Sequence, residues 1–286
     1  MLDTLQIAVD FATLPVRPEV FSIGPFGEWG PFALRWYSLS YIAAIVIGWW
    51  LLAKMIKAPG SPMDAEQVDS FITWATLGVI IGGRLGYVLF YNPAQYAADP
   101  LSILRLWDGG MSFHGGAFGV IVGCLGFGWA NKVSGLRVLD YVATVSPVGL
   151  GLGRLANFVK GELWGRPTGS DWGVIFPGAG PEPRYPSQLF EAALEGALLL
   201  VIMTWLFWRT PARFRPGLLA GVFGVGYGLS RFAVENYREP DRQLGFLSTG
   251  LTMGQTLTLP MIIVGLTLVA RALLRPPVPA TVSAAA

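Results

Sequence analysis

Charged residues are scarce in this chain of 286 residues: Lys, Arg, Asp and Glu make up 13%, whereas hydrophobic residues make up 53%. A soluble domain usually carries about 25% charged residues, because its surface must be solvated. The shortage therefore argues against an ordinary soluble domain. The net charge of +2 and the lack of any Lys/Arg run argue against a nucleic-acid partner.

Cysteine and histidine each occur once, as Cys124 and His114. One cysteine cannot form an intrachain disulfide, and one Cys with one His cannot build the usual zinc site. The apolar segments show no cluster of carboxylates, which argues against a metal-dependent phospholipid enzyme. We therefore expect no metal and no cofactor. The N-terminus lacks the basic segment of a cleavable signal peptide and has Asp3 and Asp10 there instead.

Long apolar runs, in contrast, are abundant. A membrane crossing needs roughly 20 apolar residues, and seven segments approach that length: residues 34–56, 71–91, 113–129, 138–158, 189–208, 217–234 and 251–273. The sequence thus predicts an all-α fold, a polytopic transmembrane helical bundle of about seven spans. Most of these segments are rich in glycine, which allows helix backbones to approach closely in lipid.

Basic residues follow the odd-numbered segments, at Lys54, Lys57, Lys132, Arg137, Arg209, Arg213, Arg215, Arg271 and Arg275. Cytoplasmic loops are enriched in Lys and Arg, so the pattern predicts an outer N-terminus and a cytoplasmic C-terminus. Residues 1–33 are then an outer or interfacial leader, and residues 275–286 a disordered cytoplasmic tail. Residues 34–274 form the seven-span domain, with a long outer loop over residues 159–188.

Polar residues concentrate where odd-numbered segments begin and even-numbered segments end. Such residues are costly in a membrane and are usually functional or paired. With the predicted topology they converge on the outer half of the bilayer: Arg35, Tyr37, Arg84, His114, Arg154, Asn157, Glu162, Gln188, Glu191, Arg231, Glu235 and Arg238. A guanidinium binds phosphate through paired hydrogen bonds, so several arginines at this level indicate an anionic lipid head group.

These residues also have structural explanations, which the sequence leaves open. Arg231 and Glu235 are four residues apart and could form an ion pair inside the bundle. Arg84 could bond backbone carbonyls or a glutamate, and His114 could be a packing residue. Tyr37 could belong to an interfacial aromatic belt. Cys124 has no activating cation within reach along the sequence, so we do not expect a nucleophile there.

Six short motifs follow one another between Arg35 and Asp241. They are Arg35-Trp36-Tyr37, Gly83-Arg84-Leu85-Gly86-Tyr87, Ser112-Phe113-His114-Gly115, Gly153-Arg154-Leu155-Ala156-Asn157-Phe158 with Gly161-Glu162-Leu163-Trp164-Gly165-Arg166, Tyr185-Pro186-Ser187-Gln188-Leu189-Phe190-Glu191, and Arg231-Phe232-Ala233-Val234-Glu235 through Arg238, Pro240 and Asp241. Together they resemble the bacterial prolipoprotein diacylglyceryl transferase family. The chain departs at Ala156, Lys160 and Tyr185, where the family often has Gly, Asn and His, so His114 is the only histidine candidate.

The resemblance implies a reaction. A diacylglyceryl group passes from phosphatidylglycerol to the thiol of a lipobox cysteine in a prolipoprotein signal peptide, with formation of a thioether and release of glycerol phosphate. It implies a multi-pass protein of the bacterial inner membrane, in contact with membrane lipids, whose active site lies toward the periplasmic half. We expect a monomer.

The resemblance also implies site residues. His114, Arg154, Arg231 and Tyr37 are the expected catalytic residues: His114 takes the thiol proton, Arg154 and Arg231 hold the phosphate, and Tyr37 bonds lipid or peptide at the mouth. Substrate binding and orientation are expected from Arg154, Asn157, Glu162, Gly165, Arg231, Glu235, Arg238 and Arg84.

Two other functions fit the same residues less well. A lipid or anionic-solute transporter could use these arginines, but it needs access from both faces. The inner half shows few polar groups apart from loop charges, and we find no convincing internal repeat of the kind on which many transporters are built. A structural scaffold would leave the arginines of the spans without a purpose.

Overall fold

The computed structural model describes residues 7–25, 31–240 and 245–279. Its helices are α1 (Trp36–Met55), α2 (Ala65–Phe90), α3 (Pro93–Ala98), α4 (Phe113–Ala130), α5 (Gly135–Lys160), α6 (Ser187–Glu191), α7 (Leu199–Arg209), α8 (Leu218–Val234) and α9 (Met253–Leu274). A π-helical segment, Ala192–Leu198, joins α6 to α7. Ser187–Arg209 is therefore one continuous helix.

Two small sheets accompany the helices. β1 (Ile7–Asp10) pairs in parallel with β4 (Trp172–Ile175), and β2 (Glu19–Ile23) pairs antiparallel with β3 (Phe32–Arg35). The sequence predicted an all-α protein; the structure is mostly helical but also contains these two sheets. Strands of four or five residues are too short to give an alternating pattern that can be recognised among the prolines and glycines of these segments.

Six helices in the described ranges are long and apolar enough to cross a membrane, by length and composition: α1, α2, α4, α5, the continuous helix Ser187–Arg209, and α9. The predicted segment at residues 217–234 corresponds to α8, an apolar helix of 17 residues that is shorter than the others. The prediction of a helical protein with several candidate spans is confirmed at this level.

Capping explains where the predicted boundaries were wrong. α2 begins at Ala65, six residues before its apolar run, because Asp64 caps it. The Asp64 carboxylate accepts from the Gln67 N–H at 2.8 Å, and the Gln67 side chain accepts from the Asp64 N–H at 3.1 Å. This reciprocal pair satisfies donors that a helix start leaves unpaired. Thr252 and Gln255 cap α9 in the same way.

Glycines bring helix backbones into contact. A Cβ added to Gly86 of α2 would lie 2.8 Å from the Gly115 Cα of α4, and one added to Gly221 of α8 would lie 2.7 Å from the Gly265 carbonyl of α9. Larger side chains would force both pairs of helices apart. Close backbone approach lets helices associate by dispersion where lipid removes the hydrophobic driving force.

The helix α5 lies at the centre and packs against α1, α4, α7 and α8. The largest buried cluster surrounds its first half and includes Phe127, Tyr141 and Phe207. A second, aromatic cluster forms where α5 ends, with Phe11 and Phe176 packed against Phe158. This second cluster fixes the sheet of β1 and β4 over the end of α5.

Two buried charges lie near the start of α5. Arg137, which the sequence placed in a basic loop, is a helical residue with 4% exposure and donates to the Gly60 carbonyl. Asp140 is 1% exposed and accepts from the Gly217 and Ala220 N–H groups at 2.7 and 2.8 Å. Asp140 satisfies the first N–H groups of α8.

Candidate functional site

A buried ion-pair network joins three arginines to three glutamates. Glu191 lies at its centre: its Oε2 is 3.2 Å from Arg154 Nε, and its Oε1 is 3.1 Å from Arg238 Nη1 and also pairs with Arg231 Nη1. Arg231 Nη2 lies 3.0 Å from Glu235 Oε2, and Arg154 Nε lies 3.8 Å from Glu195 Oε2. We call this set the ion-pair network: Arg154, Glu191, Glu195, Arg231, Glu235 and Arg238.

Local structure places these side chains together. Arg231 and Glu235 are one helical turn apart at the end of α8, so they share a face. Glu191 ends α6 and Glu195 lies in the π-helical segment. A π-helical segment widens a helix by about one residue per turn and often occurs at functional sites. Here it brings both carboxylates, four residues apart, to Arg154.

Burial makes the pairing obligatory. The side chains of Glu191 and Glu195 are fully buried, while those of Arg154 and Arg231 are 17% and 13% exposed. A carboxylate removed from solvent must be compensated by charge or hydrogen bonds. Both oxygens of Glu195 lack a hydrogen-bond partner among the described residues. Arg154, whose Nε lies 3.8 Å from Oε2, supplies the positive charge that compensates this carboxylate.

Four further residues form what we call the Glu162 group: Tyr37, Asn157, Lys160 and Glu162. Asn157 Nδ2 donates to Glu162 Oε1 at 2.9 Å, and Lys160 Nζ lies 2.5 Å from Glu162 Oε2. Lys160 Nζ also lies 5.6 Å from the centre of the Tyr37 ring. The group therefore links the start of α1 to the end of α5.

A glycine turn returns Glu162 to α5. Gly161 ends the helix with φ of 70°, a left-handed conformation that suits glycine. The Glu162 N–H then donates to the Asn157 carbonyl at 3.1 Å, and Gln188 Nε2 donates to the Glu162 carbonyl at 2.7 Å. Because Gln188 and Glu191 share α6, the turn connects the Glu162 group to the ion-pair network.

His114 approaches the network from another helix. It lies exposed in the first turn of α4, which Ser112 caps by accepting from the Gly115 N–H at 3.2 Å. The neighbouring Phe113 ring lies 6.4 Å from the Tyr227 ring of α8. The charge of Arg231 is close enough to act on the His114 imidazole. His114 thus lies beside the network without belonging to its ion pairs.

Gly165 serves the site through its backbone. Its N–H donates to the Tyr185 carbonyl at 3.0 Å, and a Cβ added to it would lie 2.6 Å from the Tyr237 carbonyl. The next residue, Arg166, donates from Nε to the Arg238 carbonyl at 2.8 Å. Glycine at position 165 therefore lets two segments meet and helps to hold Arg238 in the network.

Arg84 lies apart from the network. Its guanidinium has five N–H groups, and it donates to five backbone carbonyls at 2.5 to 3.1 Å: Ser102, Ile103, Arg105, Gly109 and Gly110. The side chain organises the connection between α3 and α4. These contacts match the backbone-carbonyl alternative that the sequence left open.

Most predicted site residues are brought together. Arg154, Arg231, Glu235 and Arg238 share the ion-pair network, and Tyr37, Asn157 and Glu162 share the Glu162 group. The sequence placed Glu191 among the converging polar residues but not among the expected site residues; it did not name Glu195, and it showed no clustered carboxylates. The four-residue spacing of two glutamates within an apolar segment was the available signal. In the described ranges, no group of three or more His, Cys, Asp or Glu is placed to hold a metal ion.

Comparison with known proteins identifies the family to which this chain belongs. A family model described as prolipoprotein diacylglyceryl transferase matches residues 26–271. A relative from Zymomonas mobilis is 51% identical over 274 residues, covering 94% of this chain and 95% of its own. Relatives from Gluconacetobacter diazotrophicus and Paramagnetospirillum magneticum are 55% and 51% identical, each covering 86% of this chain and 89% and 92% of their own. All three are named phosphatidylglycerol–prolipoprotein diacylglyceryl transferase.

Proposed function

This chain belongs to the prolipoprotein diacylglyceryl transferase family, and from that premise we propose that it transfers the diacylglyceryl group of phosphatidylglycerol to a prolipoprotein. The acceptor is the thiol of a lipobox cysteine in the signal peptide. This is the first step of lipoprotein maturation. The observation that carries the proposal is the convergence of Arg154 and Arg231 on Glu191, which puts two guanidinium groups in one partly exposed site.

The two arginines suit a phosphate ester. Each guanidinium presents a rigid fork of donors that matches phosphate oxygens. Their carboxylate partner is fully buried, whereas the guanidinium side chains retain 17% and 13% exposure. The buried carboxylates therefore hold the two guanidinium groups in place, and the exposed parts of these groups are available to bind the phosphate. Glu235 orients Arg231, and Arg238 shares the charge of Glu191.

The reaction is an alkyl transfer at a glycerol carbon. The thiol has a pKa of about 8.5 in water and attacks as a thiolate. A sulfur–carbon bond forms while the carbon–oxygen bond to phosphate breaks, and the electron pair leaves with the phosphate oxygen. Preorganised positive charge stabilises the charge that grows on this leaving group. Arg154 and Arg231 supply that charge.

His114 takes the thiol proton in this mechanism, since a neutral imidazole acts as a base near pH 7. Asn157 and Glu162 orient the head group, and Tyr37 bonds lipid or peptide at the mouth. Gly165 helps to position Arg238. Arg84 contributes by stabilising the connection from α3 to α4. Loss of a general base typically lowers the rate by about 10²–10⁴-fold. Full activity in His114→Gln would remove the base assignment.

The site supports a topology of seven spans. The network and the Glu162 group use the starts of α1 and α6 and the ends of α5 and α8, and His114 opens α4, so successive crossings alternate in direction. The start of α8 contacts Asp140 near the beginning of α5, and its end contacts Glu191. At about 1.5 Å per residue, the 17 residues of α8 cover about 26 Å, close to the ~30 Å hydrocarbon core.

The basic connections after α1, α4, α7 and α9 support a cytoplasmic location for that end of the bundle. The N-terminus and the site then lie at the periplasmic half of the bacterial inner membrane, and the C-terminus lies in the cytoplasm. A transporter would need a polar path to the opposite end. Arg137 and Asp140 are buried there, but both are engaged by backbone groups.

A direct assay tests the proposed function. Purified protein is incubated with phosphatidylglycerol and a lipobox peptide, and the peptide mass is measured. We expect a diacylglyceryl adduct on the cysteine, lost in Arg154→Ala and retained in Arg209→Ala, which removes an arginine in the last turn of α7. A folded wild-type sample that binds lipid but gives no adduct would contradict the transferase and favour a transporter.

A further inference from the structure

Lys160 is the most exposed cation among the residues of the candidate site. It is the last residue of α5, and its side chain is 49% exposed, against 17% for Arg154 and 13% for Arg231. Its ammonium contacts Glu162 at 2.5 Å and lies 5.6 Å from the centre of the Tyr37 ring. It thus borders two residues of the proposed site while remaining open to a ligand from outside.

The ion pairs of the network do not include Glu162. There, three arginines balance three glutamates. Glu162 receives its side-chain hydrogen bond from the neutral amide of Asn157 at 2.9 Å. Among the described residues, no Lys or Arg other than Lys160 lies within ion-pair distance of Glu162. Without Lys160, an anionic phosphodiester would approach Asn157 beside an unpaired carboxylate, and like charges repel.

We propose that Lys160 sets the affinity of the site for anionic lipid head groups. It neutralises Glu162 and presents an ammonium on a flexible four-carbon stem, which contacts the phosphate before Arg154 and Arg231 hold it. This inference rests on the proposed function and deepens it. Lys160 is a binding and positioning residue: it acts on head-group capture and not on the breaking of the carbon–oxygen bond.

The expected effect is modest, because exposed ion pairs contribute up to about 1 kcal/mol. That energy corresponds to about a five-fold change in affinity. Lys160→Gln should therefore raise the KM for phosphatidylglycerol about two- to five-fold while kcat stays within about two-fold. Lys160→Arg keeps the charge and should restore the wild-type KM. Salt screens exposed charges, so the difference between wild type and Lys160→Gln should shrink at high ionic strength.

Kinetics in mixed micelles test the proposal. Phosphatidylglycerol is varied in phosphatidylcholine at saturating lipobox peptide, at low and high NaCl. Lys57→Gln is the matched control, since Lys57 is an exposed lysine in the connection that follows α1. An unchanged KM in Lys160→Gln would overturn the inference, as would a fall in kcat at unchanged KM. Thermal unfolding checks each variant, and Lys160→Asn replaces Lys160→Gln if that variant does not fold.

A second readout separates failure of the inference from failure of the proposed function. Mass spectrometry measures the phosphatidylglycerol retained, relative to phosphatidylcholine, after the purified protein is washed in detergent. Reduced retention in Lys160→Gln but not in Lys57→Gln supports the inference even if wild-type protein forms no adduct. Equal retention in all three proteins overturns it, whatever their activity.

Discussion

Glu191 is the residue on which the three arginines of the ion-pair network converge. It is fully buried and pairs with Arg154, Arg231 and Arg238. The arginines could be predicted from the sequence, because a cation in an apolar segment is conspicuous and costly. That Glu191 is their common partner could not be predicted, because its neighbours in space come from α5, α8 and the segment after α8. Sequence spacing reveals only pairs on one helix, such as Arg231 and Glu235.

Neutralising this central carboxylate should destabilise the protein and inactivate it. Removing one partner of a buried ion pair typically costs about 3–5 kcal/mol, because charges of the other sign remain uncompensated. Glu191→Gln removes the carboxylate that Arg154, Arg231 and Arg238 share. We expect a lower melting temperature in detergent and loss of diacylglyceryl transfer. Glu182→Gln, an exposed position in the loop before α6, is the control. A Glu191→Gln protein that melts with the wild type would show that the network is not needed for stability.

At the scale of elements, the order of the long apolar helices was predictable, but their ends and contacts were not. Apolar length indicates a span, whereas the capping residues Asp64 and Thr252 set where α2 and α9 begin. The four strands were missed because each has only four or five residues. Glycine enrichment correctly indicated close packing. It could not indicate which helices meet, since glycines occur in most of the segments.

The contact of α2 with α4 should tolerate no side chain at Gly86. A Cβ there would lie 2.8 Å from the Gly115 Cα and 3.1 Å from the Ser112 Cβ, so the helices must separate. Overpacking typically costs about 1–3 kcal/mol. Gly86→Ala should lower the melting temperature and reduce activity, because α4 carries His114. Gly48→Ala, where a Cβ would meet nothing within 4 Å, should melt like the wild type. Equal melting of both variants would contradict the close packing.

For the whole molecule, the orientation in the membrane determines which substrates meet at the site. The alternating directions of the helices place the ion-pair network at the end where α5 and α8 finish, and the basic connections lie at the opposite end. If the basic end is cytoplasmic, the lipobox cysteine reaches the site from the periplasmic half of the bilayer. Helix contacts alone do not distinguish inside from outside, since they are identical in either orientation. Only the Lys/Arg bias carries that information.

Cysteine labelling measures the orientation directly. Cys124 is buried, so a Cys124→Ser background permits single reporters. Ser170 is exposed in the loop between α5 and β4, and Lys57 is exposed in the connection between α1 and α2. In intact spheroplasts, a membrane-impermeant maleimide should label Ser170→Cys and leave Lys57→Cys unlabelled until the membrane is broken. Both sites should react after detergent lysis, which confirms that each thiol is accessible. The reverse pattern would place the network at the cytoplasmic half, where no periplasmic substrate could reach it.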